Sequence, residues 1–242
     1  MFVLGIDTAT PVTSVAVGSR QGVLASAAVR NDRAHAELLV PMVRQALGQA
    51  GIEGTELGGI AVGTGPGLFT GLRVGVSSAK SLAQAWGLPM VAVSSLDLLA
   101  FACRHAGRAI CAAIDGRRGE LFTARYRPVP GGVERTSEYR VAAPDELAAE
   151  LDRFAGLRED LRVALGEAVE LAGPDHATPS AESLVQLALL RFEQGGAVGP
   201  LEVSPVYLRR PDVDPGIERR LADERAAAGG GAGGNGAAMV GA

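Results

Sequence analysis

The sequence predicts an α/β protein built from two related halves, each a mixed sheet flanked by helices. Three observations carry this. The chain opens with three short apolar strands in succession. Helices and strands then alternate. About half a chain later the opening pattern recurs. Leu4-Gly5-Ile6-Asp7 leads through a short turn into the strand Thr13–Val17, and Ala112-Ala113-Ile114-Asp115 leads through Gly116-Arg117-Arg118-Gly119 into Leu121–Tyr126. The repeat places domains at residues 1–105 and 106–210, with a charged extension and Ala/Gly-rich tail at 211–242.

Val3–Ile6 is a continuous apolar run that stops at Asp7, as a buried strand does. Thr13–Val17 alternates and is β-branched, and Gly22–Val29 follows it, so the three form a meander. Ala34–Ala50 carries Leu38, Leu39, Met42, Val43, Ala46 and Leu47 on one helical face and closes at Gly51. Pro41 predicts a kink or a later start. Gly59–Gly63 is a short strand, Thr70–Trp86 a helix stopped by Gly87-Leu88-Pro89, and Met90–Val93 a strand. Ser94-Ser95-Leu96-Asp97 has the form of a capping box opening the next helix. In the second half, Ala109–Ile114, Leu121–Tyr126 and Val133–Val141 are expected strands. Pro144–Leu151 starts a helix, Leu161–Leu165 is a strand and Pro179–Glu193 is an amphipathic helix. From Ala226 the chain is almost only Ala and Gly, which buries too little to offset its ordering entropy, so disorder is expected.

Composition narrows the function. There are 23 basic and 27 acidic residues, a net charge of −4, so no basic surface dominates as it does in proteins that grip a phosphate backbone alone. The two cysteines, Cys103 and Cys111, form no CxxC motif and are expected to be reduced thiols. The N-terminus has no basic leader, and no apolar run approaches the ~20 residues of a membrane span, so a cytoplasmic protein is expected. His35, His105 and His176 supply no paired-histidine motif, so no metal ligand set is expected; His35 opens a helix as a surface or cap residue would. Arg117, Arg118, Arg125 and Arg127 sit at strand spacing, as a solvated face or as a contact for an acidic partner or RNA.

Gly63-Thr64-Gly65-Pro66-Gly67-Leu68-Phe69-Thr70-Gly71-Leu72-Arg73 is the most informative stretch. It lacks the Gly-Lys-Ser/Thr of a phosphate-binding loop and does not complete GxGxxG. Behind it Gly71, Gly75 and Ala79 recur every fourth residue, a smooth stripe on one helix face that lets another surface approach closely. Spacing alone leaves two surfaces open: the chain's own core, or a second chain. The Ile-Asp turns, with Asp7, Thr8 and Thr10 in one and Asp115 in the other, stand where hairpins of nucleotide-binding relatives contact phosphates. The first turn, Thr8-Ala9-Thr10, has no glycine to let a phosphate approach, so turn capping is the simpler role.

Together Ile6–Thr10, Gly63–Arg73, the Ile114-Asp115 turn with Gly119-Glu120, and Pro205-Val206-Tyr207-Leu208-Arg209 resemble the TsaB (YeaZ) family over nearly the whole chain to about Arg210. The resemblance implies a two-domain actin-like/Hsp70-like ATPase (ASKHA, ribonuclease H-like) fold. It implies a non-catalytic dimerization subunit of the complex that threonylcarbamoylates the adenosine beside the anticodon of tRNAs reading codons that start with A. The partners implied are the larger paralogue TsaD and the ATPase TsaE, with a homodimer when the chain is alone and tRNA reached only through the complex. No cofactor is expected to be held firmly by this chain, though the complex can use ATP. The resemblance also favours the second-chain reading of the stripe, placing Gly65, Pro66, Gly67, Phe69, Thr70, Gly71, Arg73, Gly75 and Ala79 at the partner interface. The rival readings are a glycoprotease-like metallopeptidase and a small-molecule kinase of the same fold.

Overall fold

The computed structural model of the chain describes residues 1–31, 34–147, 149–150 and 177–208. All belong to one compact unit, Met1–Arg209. The expected strand at Leu161–Leu165 and the Ala/Gly-rich tail lie outside the described residues.

The opening meander forms as the alternation dictates. β1 (Phe2–Asp7) pairs antiparallel with β2 (Val12–Ser19), which pairs antiparallel with β3 (Gly22–Arg30). β4 (Leu57–Gly63) then joins β1 in parallel, and β5 (Met90–Val93) joins β4 in parallel. The first sheet therefore runs β3-β2-β1-β4-β5. Its central strands are buried on both faces, which is why β1 and β4 read as unbroken apolar runs.

On one face lie α1 (His35–Ala50) and α2 (Phe69–Trp86). Leu39, Met42, Val43 and Ala46 from α1 and Val76, Ala79 and Ala83 from α2 close over Leu4, Ile6, Val15, Ile60 and Val62. Pro41 does not delay α1, which starts six residues earlier. A proline this near the start removes one backbone donor, and the buried stripe outweighs that loss. Both helices end on left-handed glycines, Gly51 at φ 66° and Gly87 at φ 65°, with their amides donating back to carbonyls of the last turn.

The other face is covered by α3 (Ser95–Ala102) and by α4 (Ala181–Glu193), which comes from the second half of the sequence. Leu184, Val185, Ala188 and Leu189 of α4 pack on Val3, Ala16, Ala61, Val91 and Val93. The second sheet holds β6 (Ile110–Arg117), β7 (Glu120–Val129) and β8 (Gly132–Arg135) in that order, with β9 (Arg140–Ala142) paired to β7. The single strand expected over Val133–Val141 is thus two. Thr136, whose amide donates to Arg125 O, and Ser137, whose hydroxyl accepts from Arg125 N, lead the chain along the edge of β7 between them. α3 packs Leu96, Leu99 and Ala100 on Ala112, Ile114, Phe122, Ala124 and Tyr126.

Ser94 caps α3 as expected, accepting from Leu96 N at 3.2 Å. Asp97 does not complete the box. Its Oδ1 accepts from Tyr126 OH at 2.9 Å and Tyr139 OH at 2.8 Å, and its Oδ2 accepts from Arg191 at 2.9 Å. A second guanidinium nitrogen of Arg191 donates to Ala92 O at 2.7 Å. One carboxylate therefore ties α3 to the second sheet and to α4. Burial and the neighbouring carboxylate push both tyrosines' pKa values up, so they stay protonated donors.

Asp97→Ala removes the shared acceptor of three donors and leaves Arg191 without its carboxylate. Chemical denaturation of the variant should show a loss of about 3 kcal/mol, and Tyr139→Phe should lose only about 1 kcal/mol.

Candidate functional site

The site is built where the Gly63–Arg73 segment crosses the end of the first sheet. Thr64 N donates to Val93 O at 2.8 Å, so the segment leaves β4 still attached to β5. The Gly65–Pro66 bond is cis, and Gly65 O accepts from Ser95 N at 2.7 Å. The chain then turns onto the β1–β2 turn, where Leu68 N donates to Ala9 O at 2.7 Å, and α2 begins. From the turn, Thr8 Oγ1 donates to Gly71 O at 2.7 Å.

Glycine is needed at each point of approach. A Cβ at Gly67 would collide with Ala9 O, one at Gly71 with Thr8 O, and one at Gly75 with Thr8 Oγ1. This decides between the two surfaces that spacing left open. Gly71, Gly75 and Ala79 are buried, the two glycines against Thr8 and Ala79 in the core beneath the first sheet. Their expected place at a partner interface is corrected: the stripe packs inside the chain. Gly65 and Pro66 are buried as well, and Gly67 is half-buried beneath the turn. Of the expected interface residues, Thr70 and Arg73 are exposed and Phe69 is half-buried.

The same geometry fixes the turn residues. Asp7, Thr8, Ala9 and Thr10 are all buried. Asp7 Oδ1 accepts from Ala9 N at 3.1 Å, a local turn cap. Asp7 Oδ2 lies against Gly63, where any Cβ would overlap it. Ser95 faces the carboxyl, yet neither Oδ2 nor the Ser95 hydroxyl has a hydrogen bond of normal geometry among the described residues. Burial dominates and pushes the Asp7 pKa up to about 7, against smaller opposing effects from the Ala9 amide and Ser95. Asp7, Thr8 and Thr10 are thus taken up by the chain's own packing, with Asp7 capping the turn. Asp115, the second Ile-Asp residue, stands exposed in the second sheet, its Oδ1 accepting from Arg117 N at 2.8 Å.

Sequence reasoning missed three contributors. His35 is buried rather than a surface residue; its Nδ1 is 2.7 Å from Thr13 Oγ1, and its ring lies beside Gly71. A segment from the C-terminal half returns across the β5 edge. Met90 and Val198 exchange both backbone bonds at 2.9 Å, Lys80 Nζ donates to Val203 O at 3.0 Å, and Val206 N donates to Thr64 O at 2.8 Å. That strap brings Tyr207 to 5.3 Å from Phe69, and the Arg73 guanidinium lies 3.9 Å from the centre of the same Phe69 ring. The residue types were visible in sequence, but no periodicity joins positions so far apart.

In the basic cluster, Arg125 pairs with Glu150 at 2.7 Å and Arg127 with Glu134 at 2.5 Å, as on a solvated face. Cys103 and Cys111 are free thiols. No described helix is long and apolar enough to cross a membrane. The described residues contain no group of three or more His, Cys, Asp or Glu placed to hold a metal ion.

A mixed sheet opened by a meander, flanked by helices and followed by a second sheet with its own Ile-Asp hairpin, defines the actin-like/Hsp70-like class of α/β folds. A family model described as "TsaD: tRNA N6-adenosine threonylcarbamoyltransferase" matches residues 20–174. The protein of Escherichia coli named tRNA threonylcarbamoyladenosine biosynthesis protein TsaB is 31% identical over 222 residues, covering 86% of this chain and 95% of its own. The TsaB protein of Haemophilus influenzae is 30% identical, covering 86% and 94%. The solved structure of YeaZ from Pseudomonas aeruginosa superposes with a TM-score of 0.69 at 29% identity, covering 86% of this chain and 99% of that one. The chain belongs to the TsaB (YeaZ) family.

Two measurements check the site. Gly71→Ala should lower the melting temperature markedly, because its Cβ has nowhere to go; in unfolding measurements the cost should be about 2 kcal/mol or more. Asp7 has a folded pKa of about 7, above its value of about 4 when unfolded. Its contribution is therefore fully present below about pH 4 and is lost as pH rises to about 7. Asp7→Asn should remove that part of the pH dependence, so the stability difference between variant and wild type should shift in the variant's favour from pH 4 to pH 7.

Proposed function

We propose that this chain is a non-catalytic scaffold in the biosynthesis of threonylcarbamoyladenosine in tRNA, holding the larger TsaD-type paralogue that transfers the threonylcarbamoyl group to the adenosine beside the anticodon. Membership of the TsaB family and the names its relatives carry support the pathway. The observation that carries the scaffold role is the filled turn: Thr8 and Ala9 hold α2 in place, so those groups are not available to a nucleotide.

The surface that suits a partner is the solvent side of α1 and α2. Small side chains, Ala36 and Gly48 on α1 and Thr70, Ser77 and Ser81 on α2, alternate there with the longer exposed Glu37, Arg44, Gln45, Arg73 and Gln84. Val40 adds an apolar contact, 51% exposed. A second pair of helices can approach such a face closely. In the paralogue's absence a second copy of this chain takes the same face. The ATPase TsaE joins the assembly, ATP is handled within the assembly rather than by this turn, and tRNA is reached through the paralogue in the cytoplasm.

Depletion of the protein from cells should abolish threonylcarbamoyladenosine in bulk tRNA, read by mass spectrometry of nucleosides. Ser77→Trp, on the exposed face, should fold normally yet fail to recover the paralogue in a pull-down and fail to restore the modification. Unchanged modification in depleted cells would end the scaffold reading.

A further inference from the structure

We propose that Arg73, Phe69 and Tyr207 form one docking point that receives a carboxylate side chain of the partner protein; this rests on the scaffold reading above. Tyr207 lies far along the chain from Phe69 and Arg73. The structure brings it there by the strap, which is fixed at Met90–Val198, Lys80–Val203 and Thr64–Val206 before its ring meets Phe69.

The occupant follows from charge and shape. Arg73 is exposed, and its guanidinium carbon lies over the Phe69 ring, 3.9 Å from its centre, a cation–π contact. The described structure gives it no carboxylate partner. The whole of α2 contains Arg73 and Lys80 and no acidic residue, and Val203–Leu208 of the strap contains none either. Glu202, just before it, is turned back onto Gly199 N at 2.8 Å. Lys80 is occupied with Val203 O. What remains is one exposed cation over Phe69, a ring that in turn meets Tyr207, itself 42% exposed. Arg and Tyr on an apolar floor are the residues that dominate protein–protein contacts, and a planar guanidinium takes a carboxylate in two parallel bonds. A phosphate backbone would call for several clustered cations instead.

The test uses the full chain and the purified TsaD-type paralogue, with affinity measured by calorimetry at several salt concentrations. Arg73→Gln and Tyr207→Ala should each weaken association at least about tenfold, with melting temperature unchanged. Arg73→Gln should flatten the salt dependence. Arg73→Lys should recover only part of the affinity, because it keeps the charge without the planar guanidinium. Wild-type affinity in both Arg73→Gln and Tyr207→Ala overturns the inference while leaving the scaffold reading intact. So does a loss confined to tRNA binding, which would make the cluster a phosphate contact, or one confined to self-association, which would make the occupant a second copy. Absence of wild-type binding to the paralogue would overturn the scaffold reading and this inference together.

Discussion

The close approach of α2 to the β1–β2 turn is the constraint on which the rest depends. Gly67, Gly71 and Gly75 bring helix backbone against Ala9 and Thr8, at a distance no other residue permits. Two glycines inside a helix cost on the order of 1 kcal/mol each relative to alanine. The Thr8–Gly71 and Leu68–Ala9 hydrogen bonds and the burial of Val76, Ala79 and Ala83 offset that cost. The consequence is chemical as well as structural. A turn that in a nucleotide-binding protein would face a phosphate here faces its own chain, and its carboxyl is buried enough to hold a proton near neutral pH.

The remaining contacts hold that arrangement from outside. The strap crosses the β5 edge and closes on Thr64, so the last described residues fasten the segment that begins the site. On the opposite face α4 fills the sheet, and Asp97 links it through Arg191 to α3 and to the tyrosines of the second sheet. With one side of α2 fixed to the turn and the sheet, its other side is presented as a rigid surface. Rigidity of this kind suits a scaffold, because less freedom is lost when a partner binds.

Much of this was legible in sequence because apolar periodicity reports burial directly. The strands of the first sheet, α1, α2 and α4 follow from it with ends shifted by one or two residues. Small-residue spacing reported that something comes close to Gly71 and Gly75 but could not say what, since a helix face seen in sequence has no address. The two Ile-Asp motifs look alike as strings, yet one is buried beneath a glycine segment and the other stands exposed. Burial by a distant segment leaves no mark on the local pattern. Asp97 was read as a helix cap for the same reason: its true donors lie at positions 126, 139 and 191. Tyr207 was visible as part of a motif, but its meeting with Phe69 is a product of the strap.

Amide chemical-shift mapping on the isolated chain, first with the paralogue and then with Mg-ATP alone, tests directly whether α2 and not the β1–β2 turn is the binding surface. Shifts are expected at Thr70, Arg73, Ser77 and Ser81 when the paralogue is added, and none at Asp7–Thr10 when Mg-ATP is added. Saturable shifts at Asp7, Thr8 and Ala9 with Mg-ATP, and a silent outer face of α2 with the paralogue, would contradict that assignment.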